Sequence, residues 1–208
     1  MNVNSKVLKR FIIYMAILTF VMFTVWGFVR SFMDRPAGDY ETEVCDIRLK
    51  DKKYDQALEA ANEALNKTPN HRGAMMCKAL VFISEKKYLE ADLVLTNLII
   101  FLEKNLEDDD KTGIGTLAAA YANRGIIKDR NKKYEEALKD YVKALGIDHE
   151  AVAGPGLGTI ILNYKFKSSS VKERALYLNE QLQLPENERV LSIEELDEGQ
   201  VMHKPGKL

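Results

Sequence analysis

The 208-residue chain reads as an all-α protein, a helical-hairpin solenoid of about three repeats with a degenerate C-terminal capping hairpin, preceded by one transmembrane helix. Two observations predict it. A motif returns along the chain, as Lys52-Lys53-Tyr54-Asp55-Gln56-Ala57-Leu58, then Lys86-Lys87-Tyr88-Leu89-Glu90-Ala91, then Lys132-Lys133-Tyr134-Glu135-Glu136-Ala137-Leu138. Its first two tyrosines lie 34 residues apart, the period of one helical hairpin in a stacked array. Ahead of the first copy runs Phe11 to Val29, nineteen residues without a charge, bracketed by Arg10 and Arg30.

The apolar run comes first in the chain. At 1.5 Å per residue it makes a helix of about 28 Å, close to the roughly 30 Å hydrocarbon core of a bilayer. Trp26 and Phe28 near its far end suit the interface, where amphipathic rings concentrate. A cleaved signal peptide carries a shorter apolar region followed by a small-x-small site, and Gly27-Phe28-Val29-Arg30-Ser31-Phe32-Met33 offers none. A buried soluble helix fails as well, because a helix apolar all round needs lipid or a large core. Residues 1–10 are therefore expected as a short basic tail, 11–29 as an uncleaved signal anchor and 30–37 as a stem. Lys6, Lys9, Arg10 and the amino terminus outweigh Arg30 and Arg35, with Asp34 between them. That bias favours a cytoplasmic tail and repeats on the far side. In a bacterium this means the inner membrane with the repeats in the periplasm, and in a eukaryote an organellar membrane.

The residues around each anchor share one frame: Ala57, Ala64, Leu65 and Pro69 in the first copy correspond to Ala137, Ala144, Leu145 and His149 in the third. The frame resembles the tetratricopeptide repeat over residues 38–151. That family sets small residues where two helices cross closely, aromatic residues in the wider gaps, and proline at the end of the second helix. By this resemblance Cys45, Ala79 and Gly125 take the small position of each first helix, and Ala57, Ala91 and Ala137 that of each second helix. The usual tryptophan is replaced by Glu41, Met75 and Tyr121, and the second copy lacks its closing proline. The paired lysines before each tyrosine fall at the turn within each hairpin and read as solvated.

The solenoid is expected over 38–184. Between the second and third copies the spacing grows to 46 residues, placing an insert near 105–117. Glu107-Asp108-Asp109-Asp110 followed by Gly113 and Gly115 is a polar loop signature. The acids lack the alternation, central glycine and closing glutamate of a calcium-binding EF-hand loop. After the third copy, Ala153-Gly154-Pro155-Gly156-Leu157-Gly158 reads as a helix stop and restart; it lacks the Gly-Lys-Ser/Thr of a phosphate-binding loop. Helices are expected over Thr159–Lys167 and Ser170–Leu184, the second capped by Ser168-Ser169-Ser170 and ended by Pro185. Its stripe Val171, Ala175, Leu178 and Leu182 is suited to cover the third repeat, as solenoid ends require. Residues 185–208 hold a short helix from Ser192 to Glu198, opened by a capping box, and a tail from Val201 that is either disordered or a partner-binding strand.

Nothing in the chain assembles a catalytic site. His71 and His149 fall between repeats and His203 in the tail, so no metal or triad set emerges, no cofactor is expected, and no enzyme activity. The net charge of −1 removes a nucleic-acid footprint. Cys45 and Cys77 read as small, unbridged core residues, although an oxidising compartment permits a disulfide.

What the tetratricopeptide resemblance implies is partner binding. First helices of successive repeats line a concave groove, here Thr42, Asp46 and Leu49, then Met76, Leu80 and Ile83, then Ala122, Ile126, Asp129 and Arg130. The apolar middle suits an amphipathic helix or an extended hydrophobic segment of a membrane or exported protein, unless the chain's own insert or C-terminal helix covers it. The clamp that co-chaperone members use for chaperone carboxyl termini corresponds to Thr42, Asp46, Cys77, Ala119 and Asn123. Only Asn123 suits that task, so cytosolic chaperone tails are not the expected partner. Two functions fit: a membrane-tethered adaptor or chaperone-like scaffold, similar in layout to single-anchor ancillary proteins of the export translocon, or an accessory subunit of a larger membrane complex.

Overall fold

The structure is a computed structural model that describes residues 5–33, 35–150, 152, 170–193, 197, 200 and 203. Eight α-helices lie among them. The chain divides into two compact units, Met1–Ala37 and Gly38–Leu208.

The first unit is α1, Ser5–Met33. Its stretch Ser5–Arg30 has mean hydropathy 2.2, with none of it buried, and is long and apolar enough to cross a membrane. A helix of that kind must satisfy its polar groups internally. Thr19 and Thr24 do so, their hydroxyls donating to the carbonyls of Met15 (2.8 Å) and Phe20 (3.0 Å) one turn back. Arg30 lies over the Trp26 ring at 5.2 Å.

The second unit contains α2 (Asp39–Lys50), α3 (Tyr54–Lys67), α4 (Arg72–Ser84), α5 (Tyr88–Asn105), α6 (Lys111–Arg130), α7 (Tyr134–Ile147) and α8 (Val171–Gln183). Each first helix packs on its own second helix and on the next first helix, and α8 packs on α7. The recurring tyrosine is the first residue of α3, α5 and α7. The lysine two places ahead of it, Lys52, Lys86 or Lys132, adopts φ 60°. Its N–H bonds the carbonyl of Leu49, Ile83 or Asp129, and the next N–H reaches back to Arg48, Phe82 or Lys128. This is the left-handed helix stop in which two amides close on the last carbonyls, normally the place of glycine. The lysines are exposed, so the left-handed backbone, rather than any contact of the side chain, is what the position contributes.

Small residues stand where helices cross. Cys45, Ala79, Ala57, Ala91 and Ala137 are fully buried. A Cβ on Gly125 would come within 2.6 Å of the Tyr141 ring and 3.3 Å of the Ala137 carbonyl, so α6 and α7 can approach only through a glycine. Tyr121 fills the position expected for tryptophan and donates its hydroxyl to Glu103 at 2.6 Å. Burial, then that carboxylate, push the phenol up to about 12. Glu41, in the same place on α2, accepts from Lys67 at 2.7 Å.

The sequence favours free thiols at Cys45 and Cys77, and the structure corrects this. A disulfide joins them, with Cα atoms 6.4 Å apart. Both lie on first helices of neighbouring repeats, and their Cα separation falls within the roughly 4.4–6.8 Å that disulfides span.

The extra residues between repeats two and three enter mainly as longer helices. Only Leu106–Asp110 separates α5 from α6, and Gly113 and Gly115 are buried inside α6. Asp110 makes this possible: its carboxylate accepts from the Gly113 N–H at 2.8 Å as the helix cap and pairs with Arg72 of α4. That cation and the cap hold its carboxyl below the usual range. Among the described residues no cluster of three or more His, Cys, Asp or Glu could hold a metal ion.

At the far end Ser170 and Glu173 form a reciprocal capping box, hydroxyl to Glu173 N–H at 3.2 Å and carboxylate to Ser170 N–H at 3.0 Å. Val171, Ala175 and Leu178 are buried in the core shared with α6 and α7, and Leu182 is half-buried. The glycine run at 153–158, the helix over 159–167, most of the helix over 192–198 and most of the tail lie outside the described residues.

Candidate functional site: the concave face

The ten predicted groove residues divide into two groups. Thr42, Asp46, Leu49 and Arg130 are half-buried. Met76, Leu80, Ile83, Ala122, Ile126 and Asp129 are buried, none more than 5% exposed. At the third repeat the chain itself lies on this face. Asn123, fully buried on α6, accepts from the N–H of His203 at 2.8 Å and donates to the same residue's carbonyl at 2.7 Å, its amide also 3.5 Å from the Met76 sulfur. Both functions of one carboxamide are thus matched to the N–H and C=O of one residue's backbone.

Two turns further along α6, Gln200 donates to the Asp129 carboxylate at 3.0 Å and to the Tyr141 hydroxyl at 3.1 Å. Tyr141 in turn donates to Asp129 at 3.1 Å. Arg174 of α8 completes the cluster with a forked pair onto Asp129, both bonds 2.7 Å, and also reaches Asp197 at 3.0 Å and the Leu191 carbonyl at 2.9 Å. The Arg174 and Asp129 side chains are only 1% and 2% exposed. Burial alone would weaken the guanidinium's charge, but the bonds and charge of Asp129 outweigh it and its pKa is raised. Burial, then the Asp129 charge, push the Tyr141 phenol far up. Burial also lowers His203 to about 4, so at neutral pH its ring is uncharged. Ile126, Tyr141, Val171, Arg174, Gln200 and His203 line one pocket. The arrangement bonds the backbone of the chain's own residue 203.

The opposite end of the face is built differently. His71 caps α4, its Nδ1 accepting from the Ala74 N–H at 3.2 Å. That assigns the proton to Nε2, which bonds Asp39 at 2.8 Å. Thr42, the first predicted groove residue, bonds the Gly38 carbonyl at 2.8 Å. Of the clamp positions, Cys77 is in the disulfide and Ala119 is fully buried.

Sequence reasoning singled out Asn123 and Asp129 and missed their partners. Arg174 carried a readable signal, since it sits between Val171 and Ala175 on the apolar stripe of α8, where a cation has to find a buried anion. Gln200 and His203 carried none; they are polar residues in a polar tail.

Residues 118–150 match the family model for the tetratricopeptide repeat. They cover the third hairpin from Ala118 of α6 to the end of α7 and the turn after it. No curated protein matches the chain. Among solved structures, the first tetratricopeptide domain of Spaghetti (RPAP3), bound to the HSP90 peptide SRMEEVD, is similar at 17% identity and TM-score 0.50, over 71% of this chain and 94% of that one. The tetratricopeptide domain of Arabidopsis OM64 matches at 19% identity and TM-score 0.45, over 55% and 84%. The fold of the described helices α2–α7 is a tetratricopeptide-type solenoid.

Proposed function

We propose that this tetratricopeptide-repeat protein is a membrane-tethered adaptor or chaperone-like scaffold, which holds a segment of a membrane or exported protein on its concave face. The observation that supports the reading is the presence, in one chain, of a wholly exposed apolar helix and of a repeat domain in which Asn123 bonds the backbone of the chain's own residue 203. The solved neighbour whose title names a bound peptide supports a peptide as partner. The groove consists of Thr42, Asp46 and Leu49, of Met76, Leu80 and Ile83, and of Ala122, Ile126, Asp129 and Arg130, with Asn123 added. It performs no catalysis and needs no cofactor.

The anchor spans a bacterial inner membrane, or an organellar one in a eukaryote, with the repeats on the oxidising side. The Cys45–Cys77 disulfide supports that side, since such bonds persist where thiols are not kept reduced. Tethering by a short stem raises the effective concentration near a membrane-bound client to about the millimolar range.

A second reading, an accessory subunit of a membrane complex, is favoured by one observation. Leu89, Leu93 and Ile100 of α5 share a face and are 85%, 63% and 59% exposed, an apolar stripe that suits a permanent partner. Mild-detergent purification of the full-length protein beside the same domain on a foreign anchor, with mass spectrometry of what each retains, separates the two. The same client set on both anchors supports the adaptor. One stoichiometric complex seen only with the native anchor supports the subunit and overturns the adaptor.

A further inference from the structure

We infer that the segment carrying Gln200 and His203 is an internal ligand of the concave groove, and that it exchanges with a client polypeptide recognised through its backbone at Asn123. The inference rests on the adaptor reading and adds both the chemical feature recognised and the competitor built into the chain.

The contact at Asn123 uses only the N–H and C=O of His203. Every residue except proline offers that pair, so the contact at Asn123 reads backbone, while the buried His203 ring is held separately in the pocket. Gln200 adds contacts to Asp129 and Tyr141 that depend on its own side chain, and these mark the segment as this chain's own occupant. The bonds to Asn123 are neutral, and each replaces a bond to water, so their net contribution is small. Leaving Asn123 bare is costly by contrast, because the residue is fully buried and its carboxamide would lose both partners. Those two facts together favour exchange over simple opening: the groove is filled either by the segment or by another backbone.

Competition within one chain has a calculable size. With the tethered segment at an effective concentration of about 1 mM, a free peptide of intrinsic Kd about 10 µM binds the intact protein about 100-fold more weakly than a protein without the segment.

The test uses full-length protein in detergent, the same protein lacking residues 199–208, and a fluorescent peptide corresponding to residues 198–208. The peptide should bind the shortened protein about 100-fold more tightly than the intact one. Asn123→Ala in the shortened protein should lower binding at least tenfold. A peptide N-methylated at the position of His203 should lose binding, while one with His203→Ala, which keeps the N–H and C=O that Asn123 bonds, should lose much less. His203→Pro in the intact chain removes the N–H accepted by Asn123 together with the ring and should reproduce the shortened protein, with His203→Ala as the control that removes the ring alone; the pair covers the case in which truncation impairs folding. Equal binding to intact and shortened protein, with His203→Pro also without effect, overturns the inference, as does undiminished binding of the N-methylated peptide. Client retention is then measured on the same proteins. Peptide exchange with no client retained on any form leaves the internal ligand standing and removes the adaptor reading. Clients retained without peptide exchange do the reverse.

Discussion

The first and third hairpins turn through the same left-handed lysine, Lys52 and Lys132, yet they are stabilised by different chemistry. The first is built from small residues, Cys45, Ala57, Ala60 and Ala61, packed on Cys77 and Val81 of its neighbour and closed to it by the Cys45–Cys77 disulfide. The third packs Ile126, Ile127, Tyr141, Val171 and Leu178 and seals them with a buried ion pair between Asp129 and Arg174. Both are ends of the solenoid, where a repeat lacks a neighbour on one side. Alanine and cysteine bury few methylene groups, each worth about 0.8 kcal/mol, so the first end is reinforced covalently. The third end has a capping helix and needs no covalent bond, but the cap brings a charge that must be matched.

The largest effect expected is at the third end. Arg174→Ala leaves Asp129 charged and buried without its forked partner and should cost about 3–5 kcal/mol in urea unfolding, whereas replacing both residues by apolar ones of similar volume should cost far less. A single-residue loss below about 1 kcal/mol would mean that the ion pair does not hold the cap.

Next comes the first end. With a sequence separation of 32, the Cys45–Cys77 bond closes a loop whose entropy corresponds to about 4 kcal/mol. Reduction should therefore speed amide exchange in α2 and α3 strongly and leave α6, α7 and α8 nearly unchanged. Equal acceleration at both ends would merge the two regions into one cooperative unit.

Acid sharpens the contrast. His203 is lowered to about 4 from an ordinary 6.5. The docked segment therefore keeps its full stability above pH 6.5 and loses it as pH falls toward 4, by up to about 3 kcal/mol. Tyr141 of α7 and Arg174 of α8 share its pocket, and neither changes charge in that window. The protection factor of the His203 amide, its exchange corrected for the slower intrinsic exchange in acid, should fall between those pH values while that of α2 holds; an unchanged protection factor would place the ring in water.

Smaller still, Gly125→Ala should cost about 1–3 kcal/mol, because its Cβ meets the Tyr141 ring. Finally, Lys52→Gly, Lys86→Gly and Lys132→Gly should each stabilise by about 0.5–1 kcal/mol in thermal unfolding, with equal gains at all three turns, since each relieves the same left-handed backbone. Unequal gains would show that the turns share geometry but not strain.

Much of the fold was legible in the chain. The period of the lysine-tyrosine motif located three hairpins, and Ser170 with Pro185 bracketed the capping helix near its observed span, Val171–Gln183. The polar composition of the insert was read as a loop, whereas the chain is helical from Lys111. An aspartate cap and a cross-repeat arginine hold that start, and neither is visible as periodicity. At the site, Asn123 and Asp129 were legible as positions on first helices, but what fills them was not.

By itself the sequence determined the hairpin period, the small residues at the crossings and the apolar anchor segment, because each is a pattern of residue types along the chain that needs no knowledge of which helices meet. Only the tertiary structure decided that Cys45 meets Cys77, that Arg174 meets Asp129 and that His203 lies on Asn123. Those pairs stand 32, 45 and 80 residues apart. Their bonding depends on how hairpins stack to within a few ångströms, a quantity that no local pattern encodes.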